Sequence, residues 1–196
     1  MVRSYLHNLN LCTQNAKKRV LENKQVPPED KVLGISDPDA EMIAKGTRKL
    51  IFGYKPQVGR SEKGFIVSVI VPQGAAADSD QIKPITDSAI SNTQVLPNVL
   101  SYDDGYTNKK AREEYLDRDI EVVSFSGAKG KKLTQDVWDD DAYLQARNER
   151  SMAESTMSTL KIVFDLERFS RRGIEAVTQE LLTACVYHNI KLLAKA

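Results

Sequence analysis

Asn98-Val99-Leu100-Ser101-Tyr102-Asp103-Asp104-Gly105-Tyr106 is the stretch on which the fold turns. Residues 98–102, following Pro97, read as a short strand, and Gly105 marks a sharp exit from it. Thr107-Asn108 then suits a helix cap before Lys109 to Asp117, which has the charge mixture of a helix. An aspartate at the carboxyl end of a strand in such a unit lies where α/β sheets place ligands and metals. Taken alone, Asp-Asp-Gly is an ordinary turn whose carboxylates solvate the loop. A second carboxylate downstream gives the first one its interest.

That carboxylate is Glu154, in the run Glu154-Ser155-Thr156-Met157-Ser158-Thr159-Leu160-Lys161 with Arg150 ahead of it. Seven positions is about two helical turns, so Glu154 and Lys161 project from one face, and Arg150 joins that face one turn earlier. An acid flanked by two cations, with small Ser151, Ser155 and Ser158 around it, suits holding a divalent metal while its neighbours grip phosphates. The same i,i+4 pattern also occurs on ordinary surface helices.

Together the two segments resemble something specific. A strand ending in Asp-x-Gly-Tyr, then about fifty residues, then Arg-x-x-x-Glu followed by Lys161, is similar to the second and third acids of bacterial insertion-sequence DDE transposases. The resemblance extends to Val26–Gly46, similar to the segment that joins the first catalytic strand to the next, and to Gly173–Leu193, similar to the family's terminal helix. It implies an α/β fold with a ribonuclease-H-like mixed sheet flanked by helices. It implies Asp103 and Glu154 as catalytic metal ligands, Mg²⁺ or Mn²⁺ as cofactor, and DNA as partner. Arg150 and Lys161 are then expected to orient the Glu154 helix or contact DNA.

Two features depart from the family pattern. Some branches carry a tyrosine three residues before the arginine, where this chain has Arg147 and the nearest tyrosine is Tyr143. The first catalytic aspartate belongs on a strand upstream of residues 26–46, where residues 1–25 read instead as a polar helix with Tyr5, Leu6, Leu9, Val20 and Leu21 as its apolar positions. Asp37 and Asp39 fall in a turn that the family places after that strand, so neither is promoted. The expectation is an amino-terminal connector over residues 1–25 and, over 26–196, a partial catalytic domain whose first catalytic strand is missing, from a truncated or interrupted copy.

The rest of the chain reads in the same α/β order. Residues 50–58 are expected as one strand and 64–71 as the next, the latter nearly all apolar and so buried on both faces. The Pro27-Pro28 pair is a break and residues 74–78 a small-residue loop, before a helix over 79–92 with Ile82, Ile85 and Ile90 as its stripe. Residues 120–125 are a further strand. A sheet without its central neighbour has an unpaired edge, a hazard for aggregation.

Ser126-Gly127-Ala128-Lys129-Gly130-Lys131-Lys132-Leu133-Thr134 lacks the glycine spacing of a phosphate-binding loop, so nucleotide binding is rejected. Three lysines on a glycine-softened loop, Lys129, Lys131 and Lys132, suit sequence-blind contact with DNA phosphates. Asp139-Asp140-Asp141 suits a helix start rather than a metal, and Trp138 an anchor between the lysine segment and that helix. His7 and His188 are too far apart for zinc or a relay, and His188 is expected to pack in the last helix.

Bulk properties bound the partners. A 196-residue chain with 41% hydrophobic content is enough for one domain with a core, and a net charge of +1 is not that of a dedicated nucleic-acid-binding module. No apolar stretch approaches the roughly twenty residues of a membrane span, and the opening does not read as a signal peptide. Cys12 and Cys185 form no framework and fit a reducing compartment, so a bacterial cytoplasm near the nucleoid is expected. The activity expected is metal-dependent DNA strand cleavage and transfer in the transposition of a mobile element. The alternative is an inactive remnant acting in DNA binding or in mixed assembly with itself or a full-length transposase; a third is an unrelated α/β interaction module whose acids are coincidental.

Overall fold

Helix α1, Val2–Val20, opens the chain with an exposed stripe of Tyr5, Leu6 and Leu9. The computed structural model describes all residues except 1, 28, 29, 31–33, 46–48, 75 and 196, and for 2, 44, 45, 49 and 50 the backbone alone. Pro28 of the expected break, Ala75 of the expected small-residue loop, and Glu29, residues 31–33 and Gly46 of the 26–46 segment lie outside the described residues.

The stretch expected as one strand over 50–58 is divided. Strand β2, Lys49–Gly53, pairs antiparallel with β1, Glu41–Lys45, which the sequence did not announce. Strand β3, Gln57–Arg60, pairs antiparallel with β4, Ile66–Ile70. Pro56 lies between β2 and β3, and a proline cannot donate to a ladder and restricts its predecessor, so the two halves part company there. The hairpin turn is the expected Arg60–Gly64 connection: Ser61 donates to the Phe65 carbonyl at 2.8 Å and Gly64 takes φ 90°. In β4 Ile66 and Ser68 are buried while Val67, Val69 and Ile70 are half-buried, so one face is sealed and the other partly covered.

Helix α2, Asp78–Thr93, crosses from this hairpin to the next strands. Its buried Ile82 packs with the β5–β6 region, and Ile85, one turn on, faces Gly59 of β3, its Cγ1 3.7 Å from where a Cβ on that glycine would stand. Thr86 shares a 2.5 Å hydroxyl bond with Tyr102, and Asn92 Nδ2 donates to the Val67 carbonyl at 2.9 Å. Ile90, the third residue of the expected stripe, is half-buried.

Strand β5, Val99–Tyr102, runs parallel to β6, Val122–Phe125, with Tyr102 opposite Phe125. Helix α3, Lys109–Leu116, connects them and is capped by Asn108, whose side chain accepts from Ala111 N–H. Then follow α4, Gly127–Leu133; α5, Asp141–Glu149; α6, Ser151–Val163; and α7, Ile174–Leu193.

Among the described residues the six strands thus form three two-stranded sheets. The core is divided in the same place. Ile66, Leu160, Val177 and Leu181 centre one cluster on β4, α6 and α7; Ile82, Tyr115, Val123 and Phe125 centre the other on α2, α3 and β6. Val122 and Ser126 N–H groups donate to the carbonyls of Asn98 and Tyr102. In a parallel ladder alternate residues turn their amides to opposite sides, so Val99 and Ser101 present theirs to the edge away from β6. The accessible surface, 13071 Å², compares with about 9,300 Å² for a compact monomer of 21.9 kDa. Exposed Leu182, Val186, Tyr187, Ile190 and Leu193 on α7 are part of the difference.

Candidate functional site

Asp103 is the first residue past β5. Its Oδ1 accepts from the Asp104 amide at 2.8 Å, which caps a single 3-10 turn over Asp104–Tyr106, and from the Ser126 hydroxyl at 3.0 Å. The β5–β6 register explains the second contact: with Tyr102 opposite Phe125, the next residues, Asp103 and Ser126, meet across the end of the sheet. No local signal in the sequence points to Ser126; only a parallel pairing of the two strands does.

Asp104 has a different task. Its Oδ1 accepts from the backbone amides of Lys129 at 2.8 Å and Gly130 at 3.0 Å, satisfying the free donors at the start of α4. The expected lysine loop is therefore a helix, which corrects the sequence reading. Its glycines are there for close approach. A Cβ on Gly127 (φ 81°) would stand 2.6 Å from Asp104 Cβ and Cγ, and one on Gly130 would stand 2.7 Å from Phe125 Cβ. Lys129, Lys131 and Lys132 are all exposed on this short helix, whose first turn abuts the Asp103–Asp104 pair.

Tyr143, the tyrosine nearest the Arg150 signature, is buried and ties three elements together. Its hydroxyl accepts from Phe125 N–H at 2.9 Å and from Thr134 Oγ1 at 2.8 Å, which links β6 and the end of α4 to α5. Trp138 is the expected anchor: Lys131 Nζ lies 5.9 Å from its ring, Arg147 Cζ 3.8 Å, and the Tyr143 ring 5.9 Å. Asp140 and Asp141 do begin α5, where free amides favour negative charge, but Asp140 makes no side-chain capping bond.

Arg150 stands at the junction of α5 and α6 in helical conformation. Its Nη2 lies 2.6 Å from Glu154 Oε1, and its Nη1 lies 3.4 Å from Asp103 Oδ1. One guanidinium thus spans two acids that are fifty-one positions apart in the chain. Lys161 lies in the last turn of α6, exposed, about 10 Å farther along the helix axis than Glu154. Asp103, Glu154 and Arg150 are brought together; Lys161 stands off from them.

Tyr106 adjoins the site. Burial, and then the negative charges of Asp78 and Asp103, raise its pKa well above the ordinary phenol value. Asp37 and Asp39 lie elsewhere: Asp37 Oδ1 accepts from Gly173 N–H at 3.1 Å and from the Tyr54 hydroxyl at 2.6 Å, and Asp39 Oδ2 from Ile174 N–H at 3.0 Å. They cap the start of α7. His188 packs as expected, its Nε2 3.1 Å from the Gly64 carbonyl.

Asp103 and Glu154 are exposed hard-oxygen donors, and Mg²⁺ is commonly held by one or two carboxylates completed by waters and substrate phosphate. The donor set therefore fits that ion. Among the described residues no group of three or more His, Cys, Asp or Glu is placed to hold a metal.

A family model described as the transposase DDE domain matches residues 24–190. No curated protein and no solved structure matches the chain.

Proposed function

The chain belongs to the transposase DDE domain family, and we propose that it carries the second and third acids of a metal-dependent centre for DNA strand cleavage and transfer. The observation that supports this most directly is the convergence of Asp103 and Glu154 on the two arms of Arg150. Asp103 and Glu154 are the metal ligands. Bound there, Mg²⁺ or Mn²⁺ supplies a Lewis acid that activates the attacking oxygen and stabilises the leaving one.

The chain's own residues do the rest. Ser126 and the Asp104 amide fix the Asp103 carboxylate, and α6 presents Glu154 from the other side. Lys129, Lys131 and Lys132 contact the DNA backbone beside the acids, and Arg150 and Lys161 orient the Glu154 helix or meet phosphate.

We place a ribonuclease-H-like sheet in the same reading, although the described strands form three separate two-stranded sheets. The outward amides of β5, the division of the core into two clusters, and α2 lying against both β3 and the β5–β6 region are compatible with one more strand at that edge of β5. That strand would carry the first catalytic aspartate of the family. The exposed α7 stripe and the large accessible surface favour an assembly partner, a second copy or a longer transposase. No helix among the described residues is long and apolar enough to cross a membrane; the bacterial nucleoid as site of action follows from the proposed DNA substrate.

A second reading is an inactive remnant that binds DNA or joins mixed assemblies: among the described residues two carboxylates, not three, converge on Arg150. Mn²⁺ binding in the presence of a short DNA duplex, followed by loss of the free-ion spin resonance signal, tests the metal site. Asp103→Asn and Glu154→Gln should each weaken binding by roughly tenfold or more, whereas Asp104→Asn should not. Equal affinity in all three variants rules the assignment out. Supplying the first-acid strand and assaying plasmid nicking then separates the active reading from the remnant.

A further inference from the structure

Arg150 is the least exposed member of its triad: its side chain is 24% exposed, against 61% for Asp103 and 64% for Glu154. Its two terminal nitrogens are used separately, one by each acid, instead of gripping a single carboxylate bidentately. The guanidinium therefore occupies the position between the acids, where a shared cation has to stand.

We infer that Arg150 is a resident cation that holds and neutralises the acid pair and competes with the divalent ion for it. This rests on the assignment of Asp103 and Glu154 as metal ligands. A divalent ion bound between these carboxylates with Arg150 still in place would face a positive charge at contact distance, so ion entry and arginine departure are coupled. Arginine has an alternative partner in this setting. A phosphate accepts its planar fork bidentately, which a carboxylate reached by only one arm does not. DNA phosphate arriving at the site draws Arg150 off the acids and raises ion affinity; by linkage, the ion raises affinity for phosphate to the same degree. The chain thus keeps its acid pair closed to ions until DNA is present.

The experiment measures Mn²⁺ affinity of the full chain by loss of the free-ion spin resonance signal, with and without a short DNA duplex. It compares the parent with Arg150→Gln, Arg150→Lys and Lys17→Gln, each checked for native circular dichroism. Without DNA, Arg150→Gln should bind Mn²⁺ roughly tenfold more tightly than the parent, and added DNA should raise its affinity less than it raises the parent's. Arg150→Lys keeps the charge but has no second arm, and should fall between the two; it carries the test if Arg150→Gln does not fold. Lys17→Gln, at an exposed position of α1, should match the parent without DNA. An Arg150 variant that binds Mn²⁺ no better than the parent overturns the competition while leaving the metal assignment standing. Failure of the parent and every variant to bind Mn²⁺, with or without DNA, overturns both.

Discussion

Asn189, on α7, bonds both backbone groups of Ile66: its Oδ1 accepts the Ile66 N–H at 2.8 Å and its Nδ2 donates to the Ile66 carbonyl at 2.9 Å. A side chain 123 positions away thus closes the edge of β4 as a neighbouring strand would. Asn189→Ala leaves two half-buried backbone groups without that partner and should cost about 2 kcal/mol, read as a lower urea midpoint at unchanged m-value. Asn189→Asp keeps the acceptor but sets a carboxylate against the Ile66 carbonyl, and should be at least as costly. A midpoint unchanged in both variants would mean that water replaces the amide without loss.

How far such relationships can be read in advance depends on their range. The β5 strand, the Asn108 cap, α3 and the helical run from Ser151 were legible because their signals are local: a turn glycine, a cap residue, a repeat of about 3.6. Glu154 and Arg150 were legible for the same reason, being one turn apart. The pairing of Arg150 with Asp103 was not, since it needs α5 and α6 to dock beside the end of β5. The segment 126–134 was misread as a loop because its glycines suggest flexibility, whereas they serve close contact with Asp104 and Phe125. Strand β1 was missed because Glu41–Lys45 holds one β-branched residue, Ile43, and no apolar–polar alternation, despite the turn at Asp37–Asp39 before it, and the division at Pro56 was overlooked.

Asp104 and Gly127 should act on stability through one contact. Asp104→Ala removes the acceptor for two amides of α4 and should cost about 1 kcal/mol. Gly127→Ala should cost more, because it sets a Cβ against Asp104 at a left-handed backbone position. In the double variant the losses should fall short of additive, since either change alone already breaks the contact. Strict additivity in thermal or urea unfolding would show that the two residues act separately.

Lys129, Lys131 and Lys132 should contribute to DNA binding without sequence preference. Replacing all three by Gln should weaken binding to unrelated duplexes alike and flatten the plot of log affinity against log salt by about 0.9 for each lysine that meets a phosphate. Fluorescence anisotropy of labelled duplexes over a salt series reads this directly. An unchanged slope would place the DNA elsewhere and leave these lysines as a solvated face of α4.

Cys185 should make the fold sensitive to alkali. Burial among Val177, Leu181 and Ala184 pushes its thiol from an ordinary 9.0 up to about 11. The sign follows from which state holds the proton. Below about pH 9 both folded and unfolded chains carry it, and the thiol's contribution is fully present. Between about 9 and 11 the unfolded chain loses the proton while the folded chain keeps it, so stability falls as pH rises through that window. Buried tyrosines add to the fall from its upper part onward, with Tyr115 pushed up to about 12 by burial first and then by Asp87. The thiol is therefore isolated by comparing urea unfolding at pH 8.5 and pH 10 in the parent and in Cys185→Ala. The variant should be less stable at the lower pH, from the lost packing, yet lose less between the two. If parent and variant lose the same amount, the buried thiol is not what alkali attacks, and the tyrosines carry the effect.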